Sequence, residues 1–198
     1  MADHYFHTPD GPIRTREVTT TIFGHDLSFT TANGVYSGAG LDPGTAILLR
    51  ESAPPTSGRI LDLGCGWGPI AIGLAVASKQ VRVDAVDVNE RALELCRLNA
   101  ERAGVAERVR AMLPDQVADT ATYDEIWSNP PIRIGKPALH ELLLHWLPRL
   151  APTGSARLVV GKNLGADSLQ RWLIDQGYPA ERTASAKGFR VIRVLPGG

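Results

Sequence analysis

Three glycines and two aspartates form the first group of residues that could do chemistry. The segment Asp62-Leu63-Gly64-Cys65-Gly66-Trp67-Gly68 lies between two apolar runs, and Asp87 follows 25 positions after Asp62. The glycines let the backbone turn tightly and approach a ligand, and a helix beginning here would point its amino terminus at that ligand. Asp87 ends the next predicted strand, where a carboxylate can accept both hydroxyls of a ribose. The pattern indicates a nucleotide-type ligand.

The spacing of the glycines distinguishes two kinds of nucleotide site. A dinucleotide-binding fingerprint has the order G-x-G-x-x-G. This loop has the order G-x-G-x-G, with Asp62 two positions before the first glycine. Asp62 and Asp87 could be no more than caps of strand ends, but the loop, the spacing and the strand-end positions together favour a cofactor other than a dinucleotide.

The second group is Ser128-Asn129-Pro130-Pro131-Ile132, which follows a short apolar stretch. Asn129 offers a side-chain oxygen, the Asn129-Pro130 peptide offers a main-chain carbonyl, and the two prolines hold the segment extended. Two acceptors fixed in this way suit an amino group attached to an aromatic ring. At the carboxyl edge of a parallel sheet, this segment would lie near the glycine loop.

Strands that alternate with helices must position these two groups. The patterns predict strands over residues 59–63, 81–86, 109–113, 125–128, 156–160 and 189–195. They predict helices over residues 45–52, 70–77, 90–103, 139–150 and 167–176. This alternation is typical of an α/β fold whose mostly parallel sheet is covered on both faces. Ahead of it, β-branched residues alternate over residues 16–22 and 27–31 around a turn, which predicts a β-hairpin.

The composition favours one globular domain. The 198 residues are 43% hydrophobic and 21% charged, and Cys65 and Cys96 have no spacing typical of a metal site or a disulfide framework. No apolar run approaches the roughly 20 residues of a membrane span, so we expect a cytoplasmic protein without a metal or a membrane partner. Residues 1–132 carry 17 acidic and 11 basic side chains, whereas residues 133–198 carry 4 and 10. The basic third could contact phosphates, or it could be an ordinary mixed surface.

The glycine loop and Asp87 together closely resemble the first two cofactor motifs of the class I methyltransferases. The resemblance implies a Rossmann-like fold with a seven-stranded sheet, and S-adenosylmethionine as the cofactor. Asp62 and the loop would surround its methionine part, Asp87 would hold its ribose, and Asp115 would contact its adenine. The full set of implied cofactor contacts is Asp62, Gly64, Cys65, Gly66, Gly68, Asp87, Val88, Asp115, Asn129 and Thr45.

Beside a methyl donor, Asn129, Pro130, Pro131 and Ile132 become the candidate catalytic segment. A ring-attached amino nitrogen is a poor nucleophile because its lone pair is delocalised. Accepting both of its N–H bonds favours a pyramidal nitrogen and stabilises the positive charge that develops during attack, and the proton can leave afterwards. In many amino-methylating enzymes the fourth residue is aromatic and stacks on the base. Ile132 cannot do so, which leaves Tyr5, Phe6 and Tyr36 as candidates.

The resemblance extends along nearly the whole chain to the "methyltransferase small domain" family. It rests on residues 4–6, 34–45, 62–72, 128–136 and 187–193. That family includes the ribosomal small-subunit guanine-N2 methyltransferases, whose larger members carry a degenerate second copy of the catalytic domain; this chain has one copy. The resemblance implies methylation of guanine N2, with ribosomal RNA or the small ribosomal subunit as partner. It also implies that Leu41, Asp42, Gly44 and Thr45 line the cofactor pocket. Candidates for phosphate contacts are Arg133, Lys136, Lys162, Lys187 and Arg190.

Other acceptors fit the same chemistry. A glutamine side-chain amide in a protein, a small-molecule amine and adenine N6 all carry a nitrogen that the two acceptors could hold. A binding module without catalysis is a further alternative, although the presence of Asp62, Asp87 and Asn129-Pro130 argues against it. We expect residues 1–45 to form an N-terminal β-hairpin extension and residues 46–198 to form the methyltransferase catalytic domain.

Overall fold

A computed structural model describes residues 13–198 of the chain. The strands in this part are β1 (Thr15–Ile22), β2 (His25–Ala32), β3 (Ser57–Leu63), β4 (Gln80–Val86), β5 (Val109–Met112), β6 (Tyr123–Ser128), β7 (Leu150–Gly161), β8 (Ala180–Ala186) and β9 (Phe189–Val194). The α-helices are α1 (Pro43–Glu51), α2 (Pro69–Ala77), α3 (Glu90–Arg102), α4 (Lys136–Trp146) and α5 (Ala166–Asp175).

Seven of the strands form one sheet in the order β5-β4-β3-β6-β7-β9-β8. Strands β3 to β7 pair in parallel, and β9 runs antiparallel to both of its neighbours. The predicted Rossmann-like fold with a mostly parallel sheet is therefore confirmed. Because parallel strands end at the same edge of a sheet, the loops that follow β3, β4 and β6 meet at that edge.

Two hydrophobic cores, one on each face of the sheet, hold the central strands. Alternate residues of β3 serve the two cores, as expected for a strand that is buried on both faces. Ile60 belongs to the core that includes side chains of α2 and α3, whereas Leu61 and Leu63 belong to the core that includes side chains of α4 and α5. The strand ends that carry the site are thus fixed from both sides.

The first two strands form the predicted antiparallel hairpin, from Thr15 paired with Ala32 to Ile22 paired with His25. The hairpin packs on α2, where a Cβ on Gly73 would lie only 2.5 Å from the Ile22 Cγ2 atom. It is also tied to the sheet by the buried Asn99 of α3. The Asn99 side chain exchanges two hydrogen bonds with the Thr30 backbone, at 2.7 and 2.8 Å, and donates to the Trp67 carbonyl at 2.9 Å.

Two differences from the predicted elements have simple physical causes. Strand β8 lies at the edge of the sheet with most of its side chains exposed, so its sequence lacks the apolar alternation that predicts a strand. The helix predicted over residues 139–150 ends as α4 at Trp146, because Pro148 follows in a short 3₁₀ turn. Proline cannot continue a helix, and the chain enters β7 at Leu150.

Between residues 13 and 198, no helix combines the length and the apolar character that a membrane crossing requires. The same part of the chain contains no cluster of three or more histidine, cysteine, aspartate or glutamate side chains that could hold a metal ion.

Candidate active site

The glycine loop joins the end of β3 to the start of α2 and folds back against β4. The backbone N–H groups of Gly64 and Cys65 both donate to the Val86 carbonyl, at 2.8 and 3.0 Å. Gly64 and Gly66 have positive φ values of 77° and 55°, and a Cβ added to either residue would meet no protein atom within 4 Å. These two glycines therefore leave an open cradle that a side chain at either position would fill.

The last two residues of the loop serve packing. Gly68 has a φ of 93°, and its added Cβ would lie 2.7 Å from the Cys96 Sγ atom on α3. The Trp67 side chain is 1% exposed and meets the Phe29 ring edge-on, with the ring centroids 5.0 Å apart. Gly68 thus lets α3 approach closely, and Trp67 fixes the loop against the hairpin.

Asp62 lies beneath this cradle and is fully buried. Its Oδ2 atom accepts a hydrogen bond from the Ala71 backbone N–H at 2.9 Å. Its Oδ1 atom has no hydrogen-bond partner among the described residues. Burial raises the pKa of the Asp62 carboxyl to about 8. A buried polar atom without a partner is costly, so the Oδ1 atom suits a donor on a bound molecule.

Asp87 follows β4 and lies next to the same loop. Its Oδ2 atom accepts from the Gly66 N–H at 2.9 Å, and its Oδ1 atom accepts from the Asn89 N–H at 2.9 Å. Burial raises the pKa of the Asp87 carboxyl, against the opposing effect of these backbone hydrogen bonds. Each carboxylate oxygen can accept more than one hydrogen bond, so capacity remains for the hydroxyls of a ribose. Val88 and Asp115, the second in a short 3₁₀ turn after β5, are exposed beside this half of the site.

Asn129 lies across the pocket from the glycine loop, directly after β6. The end of β6 is fixed to the end of β3, because the Ser128 hydroxyl donates to the Leu63 carbonyl at 2.7 Å. The Pro130 carbonyl accepts from the Ile132 N–H at 2.8 Å, which turns the chain after the two prolines. This places the Asn129 side chain in the same pocket as Gly64 and Gly66.

The Asn129 side chain is held by residues at the start of α1. Its Nδ2 group donates to the Asp42 Oδ1 atom at 2.7 Å and to the Thr45 Oγ1 atom at 3.0 Å. Asp42 is also the N-cap of α1 and accepts from the Tyr36 hydroxyl at 2.7 Å. The sequence indicated a helix start here but not this contact, because 87 positions separate Asp42 from Asn129.

The glycine loop, Asn129 and the start of α1 enclose one pocket at the carboxyl edge of the sheet, and Asp62 and Asp87 lie outside its lining. Of the residues predicted from the sequence, the pocket brings together Gly64, Cys65, Gly66, Asn129, Asp42 and Thr45. Tyr36, one of three aromatic candidates, also lines it and is 48% exposed. The other two candidates, Tyr5 and Phe6, lie outside the described residues, as does the segment 4–6.

Four cations stand at the same edge, on the side of β6, β7 and β9. Arg133 lies in the turn after β6, Lys136 begins α4, Lys162 follows β7 and Lys187 lies in the turn before β9. All four are exposed. None of them forms an ion pair with any residue from 13 to 198. These four residues are called the basic rim below.

Two of the predicted site residues are engaged elsewhere in the fold. Ile132 is partly buried and packs against the core of α4 and α5, and its aliphatic side chain lacks the ring needed to stack on a base. Arg190 forms an ion pair with Asp167, and its side chain is only 14% exposed. Because its charge is already neutralised inside the protein, Arg190 is not part of the basic rim.

A larger groove of about 790 Å³ opens at the opposite edge of the sheet. It is lined by residues at the start of β7 and at the end of the chain, and no charged side chain is among them. Size alone would favour this groove, but the carboxylates, the glycine cradle and Asn129 all lie at the other edge. We therefore assign the chemistry to the pocket at the carboxyl edge.

Comparison with known proteins gives this geometry a context. The model of the "Methyltransferase small domain" family matches residues 26–193. Uncharacterized protein YbxB of Bacillus subtilis is 32% identical over 197 residues, which cover 98% of each chain. Ribosomal RNA small subunit methyltransferase C of Shewanella piezotolerans is 42% identical over 111 residues, which are 56% of this chain and 32% of that protein. The match thus spans nearly all of the first relative but about a third of the second.

Among solved structures, the 16S rRNA N2 G1207 methyltransferase of T. thermophilus, in complex with AdoMet and guanosine, superposes with a TM-score of 0.79. The match covers 94% of this chain and 52% of that one, at 21% sequence identity. At this identity the likeness shows the fold.

Proposed function

Because the chain belongs to the methyltransferase small domain family and is an S-adenosylmethionine-dependent methyltransferase, we propose that it methylates guanine N2 of small-subunit ribosomal RNA. The observation that carries the proposal is the position of Asn129 across one pocket from Gly64 and Gly66. A donor held on the glycine loop and an amino group held by Asn129 would meet in this pocket.

The residues of the cofactor half fit S-adenosylmethionine. When bound, this cofactor supplies a methyl group that an amino nitrogen can attack. The unpaired Oδ1 atom of Asp62 suits the ammonium group of the methionine part, and Gly64 and Gly66 leave room for the ligand to approach the backbone. Asp87 would hold the ribose, and the exposed Asp115 would contact the adenine. Cys65, Gly68, Val88 and Thr45 complete the proposed cofactor contacts.

The residues of the acceptor half fit an amino group on a planar ring. The Asn129 side-chain oxygen and the carbonyl of the Asn129-Pro130 peptide would each accept one N–H bond of that group. Both acceptors stabilise the positive charge that develops on nitrogen, which is the electrostatic contribution that most often dominates catalysis. Pro130 and Pro131 keep the segment rigid, so the two acceptors need not reorganise during the reaction.

Tyr36 is the residue that we propose stacks on the target base. Ile132 is packed into the core, whereas Tyr36 lines the pocket with about half of its surface exposed. The bond from its hydroxyl to Asp42 fixes the ring beside Asn129. An aromatic face is the usual platform on which proteins hold an unpaired RNA base.

The basic rim and the named relatives support RNA as the acceptor. Exposed Lys and Arg side chains at the mouth of a pocket are suited to contact the phosphates on either side of a target nucleotide. Several similar proteins are named ribosomal RNA small subunit methyltransferase C. These proteins are about three times as long as the matched segment, so the partner and the methylated position belong to the proposal.

The test is transfer of labelled methyl from S-adenosylmethionine to four acceptors: deproteinised ribosomal RNA, assembled small subunits, total protein and a pool of small metabolites. Asn129→Ala is assayed in parallel, and labelled RNA is digested to nucleosides. We expect the label in N2-methylguanosine and a loss of about 100-fold or more in turnover for the variant. Label in a protein glutamine or a small amine, with unlabelled RNA, would overturn the substrate.

A further inference from the structure

The carboxamide of Asn129 is asymmetric, and its function depends on which end faces the acceptor. Only the oxygen can accept a hydrogen bond from the amino group of the acceptor. The NH2 end of Asn129 is a donor and would repel the N–H groups of that amino group. A rotation of 180° about the last side-chain bond exchanges the two ends at little steric cost. Something in the protein must therefore select the productive orientation.

Asp42 makes that selection through charge. A carboxylate can only accept hydrogen bonds, so the end of Asn129 that faces the Asp42 Oδ1 atom at 2.7 Å must be the NH2 end. The second hydrogen of the same NH2 group has its own acceptor, the Thr45 Oγ1 atom at 3.0 Å. With both hydrogens used, the oxygen remains for the pocket.

Asp42 is itself held in place by three further donors. Its Oδ1 atom caps α1 by accepting from the Gly44 and Thr45 backbone N–H groups, at 2.7 and 3.1 Å. Its Oδ2 atom accepts from the Tyr36 hydroxyl at 2.7 Å. Burial and this bond raise the pKa of Tyr36, so its hydroxyl stays a donor. The carboxylate cannot turn away from Asn129 without giving up its role as a cap.

We propose that Asp42 is a positioning residue for methyl transfer, which fixes the Asn129 side-chain oxygen toward the acceptor amino group. This inference rests on the proposed function only in the identity of that amino group. It assigns to the loop before α1 a role on the acceptor side of the pocket, in addition to the cofactor contacts that the family resemblance implies for this stretch.

Two substitutions separate this role from helix capping. Asp42→Ser keeps a good N-cap, but its shorter side chain carries one oxygen and cannot reach Asn129 while it caps α1. Asp42→Asn also caps, keeps an oxygen toward Asn129 and turns its own NH2 group to the Tyr36 hydroxyl, which can accept. Thr45→Val removes the second acceptor of the Asn129 NH2 group, and because Thr45 is also a proposed cofactor contact, its kcat is compared at saturating S-adenosylmethionine.

We expect Asp42→Ser to lower kcat, measured at saturating S-adenosylmethionine, at least about tenfold, with the melting temperature close to wild type. Asp42→Asn should restore kcat to within about fivefold of wild type, and Thr45→Val should lower it about threefold. Asp42→Ser with wild-type kcat would overturn the proposal, as would equal losses in the serine and asparagine variants.

A second measurement needs no acceptor. The side-chain NH2 signal of Asn129 in an NMR spectrum is identified by its absence in Asn129→Ala. Its hydrogens should exchange slowly with water in the wild type and in Asp42→Asn, and at least about tenfold faster in Asp42→Ser. Equal exchange in all three proteins would overturn the proposal. If RNA proves not to be the substrate, the proposed function fails, while this measurement still decides the role of Asp42.

Discussion

The two halves of the pocket are built in different ways. The cofactor half is held mainly through backbone N–H groups: those of Gly64 and Cys65 bond to the Val86 carbonyl, and that of Gly66 bonds to the Asp87 side chain, only 21 positions away. The acceptor half is held by side chains, through bonds from Asn129 to residues 87 and 84 positions away. Most substitutions leave backbone geometry unchanged, whereas a single side-chain substitution can change how the acceptor half holds Asn129. The difference indicates that donor binding is the robust part of this site and acceptor choice the adjustable part.

Removal of the Asp87 carboxylate should have the largest effect and tests whether the two halves act separately. We expect Asp87→Ala to weaken binding of S-adenosylmethionine about 100-fold, since hydrogen bonds to charged groups contribute about 1.5–3 kcal/mol each. Turnover should recover at a saturating concentration of the cofactor. Asn129→Ala, the matched variant in the other half, should bind the cofactor within about threefold of wild type and not recover. Calorimetry and steady-state kinetics measure both, and similar behaviour of the two variants would contradict the division.

Because of Asp62 in the cofactor half, we expect the stability of the folded protein to depend on pH. The pKa of Asp62 is about 8 in the folded protein against an ordinary value of 3.8, so between these values the folded state holds a proton that the unfolded chain has released. The stability that this proton confers is complete below about pH 4 and is lost as the pH rises through about 8. Relative to Asp62→Asn, which cannot titrate, the wild type without cofactor should lose about 3–4 kcal/mol between pH 5 and 8. Denaturant unfolding at several pH values measures the difference. If the free energy of unfolding of the two proteins changed with pH in the same way, Asp62 would not carry a proton in the folded state.

The glycine cradle offers a sharper comparison with a matched control. Gly66 and Gly24, in the hairpin turn, both have positive φ and open space where a Cβ would lie. Alanine at either position should cost about 1 kcal/mol of folding free energy from the left-handed backbone. Only Gly66→Ala should also weaken cofactor binding, by about tenfold, because its methyl group occupies the cradle. Equal cofactor affinity in the two variants would place the ligand elsewhere.

The smallest effects are expected at the basic rim. Replacing Arg133, Lys136, Lys162 or Lys187 singly by alanine should weaken RNA binding a few-fold and reduce the slope of log affinity against log salt by about one. Cofactor affinity should not change. Lys79→Ala, an exposed lysine at the opposite edge of the sheet, is the control and should alter neither quantity. RNA binding at about 50 to 200 mM salt gives the slopes. An unchanged slope for all four variants would remove the rim from the RNA surface.

The sequence predicted the fold and the cofactor, because both depend on local patterns. Apolar runs predicted β3 and β4, and the spacing of Asp62, the glycines and Asp87 is visible without a structure. It missed β8, an edge strand with too little buried surface for an apolar pattern. It also missed the hydrogen bond between Asp42 and Asn129, because a contact between residues far apart in the chain produces no periodic pattern in the sequence. The division at residue 45 and the roles of single residues stay predictions.

The hydrogen bonds of Asn99 limit how far the chain can be shortened from its amino terminus. The buried Asn99 carboxamide bonds at once to Thr30 in the hairpin and to Trp67 in the glycine loop. A fragment that starts at residue 46 would keep the bond from Asn99 to the Trp67 carbonyl, but it would lose both bonds to Thr30 and would uncover the Trp67 ring. We expect such a fragment to aggregate and to be cleaved by proteases in the glycine loop. In protein engineering, the smallest transplantable unit of this enzyme therefore includes the hairpin.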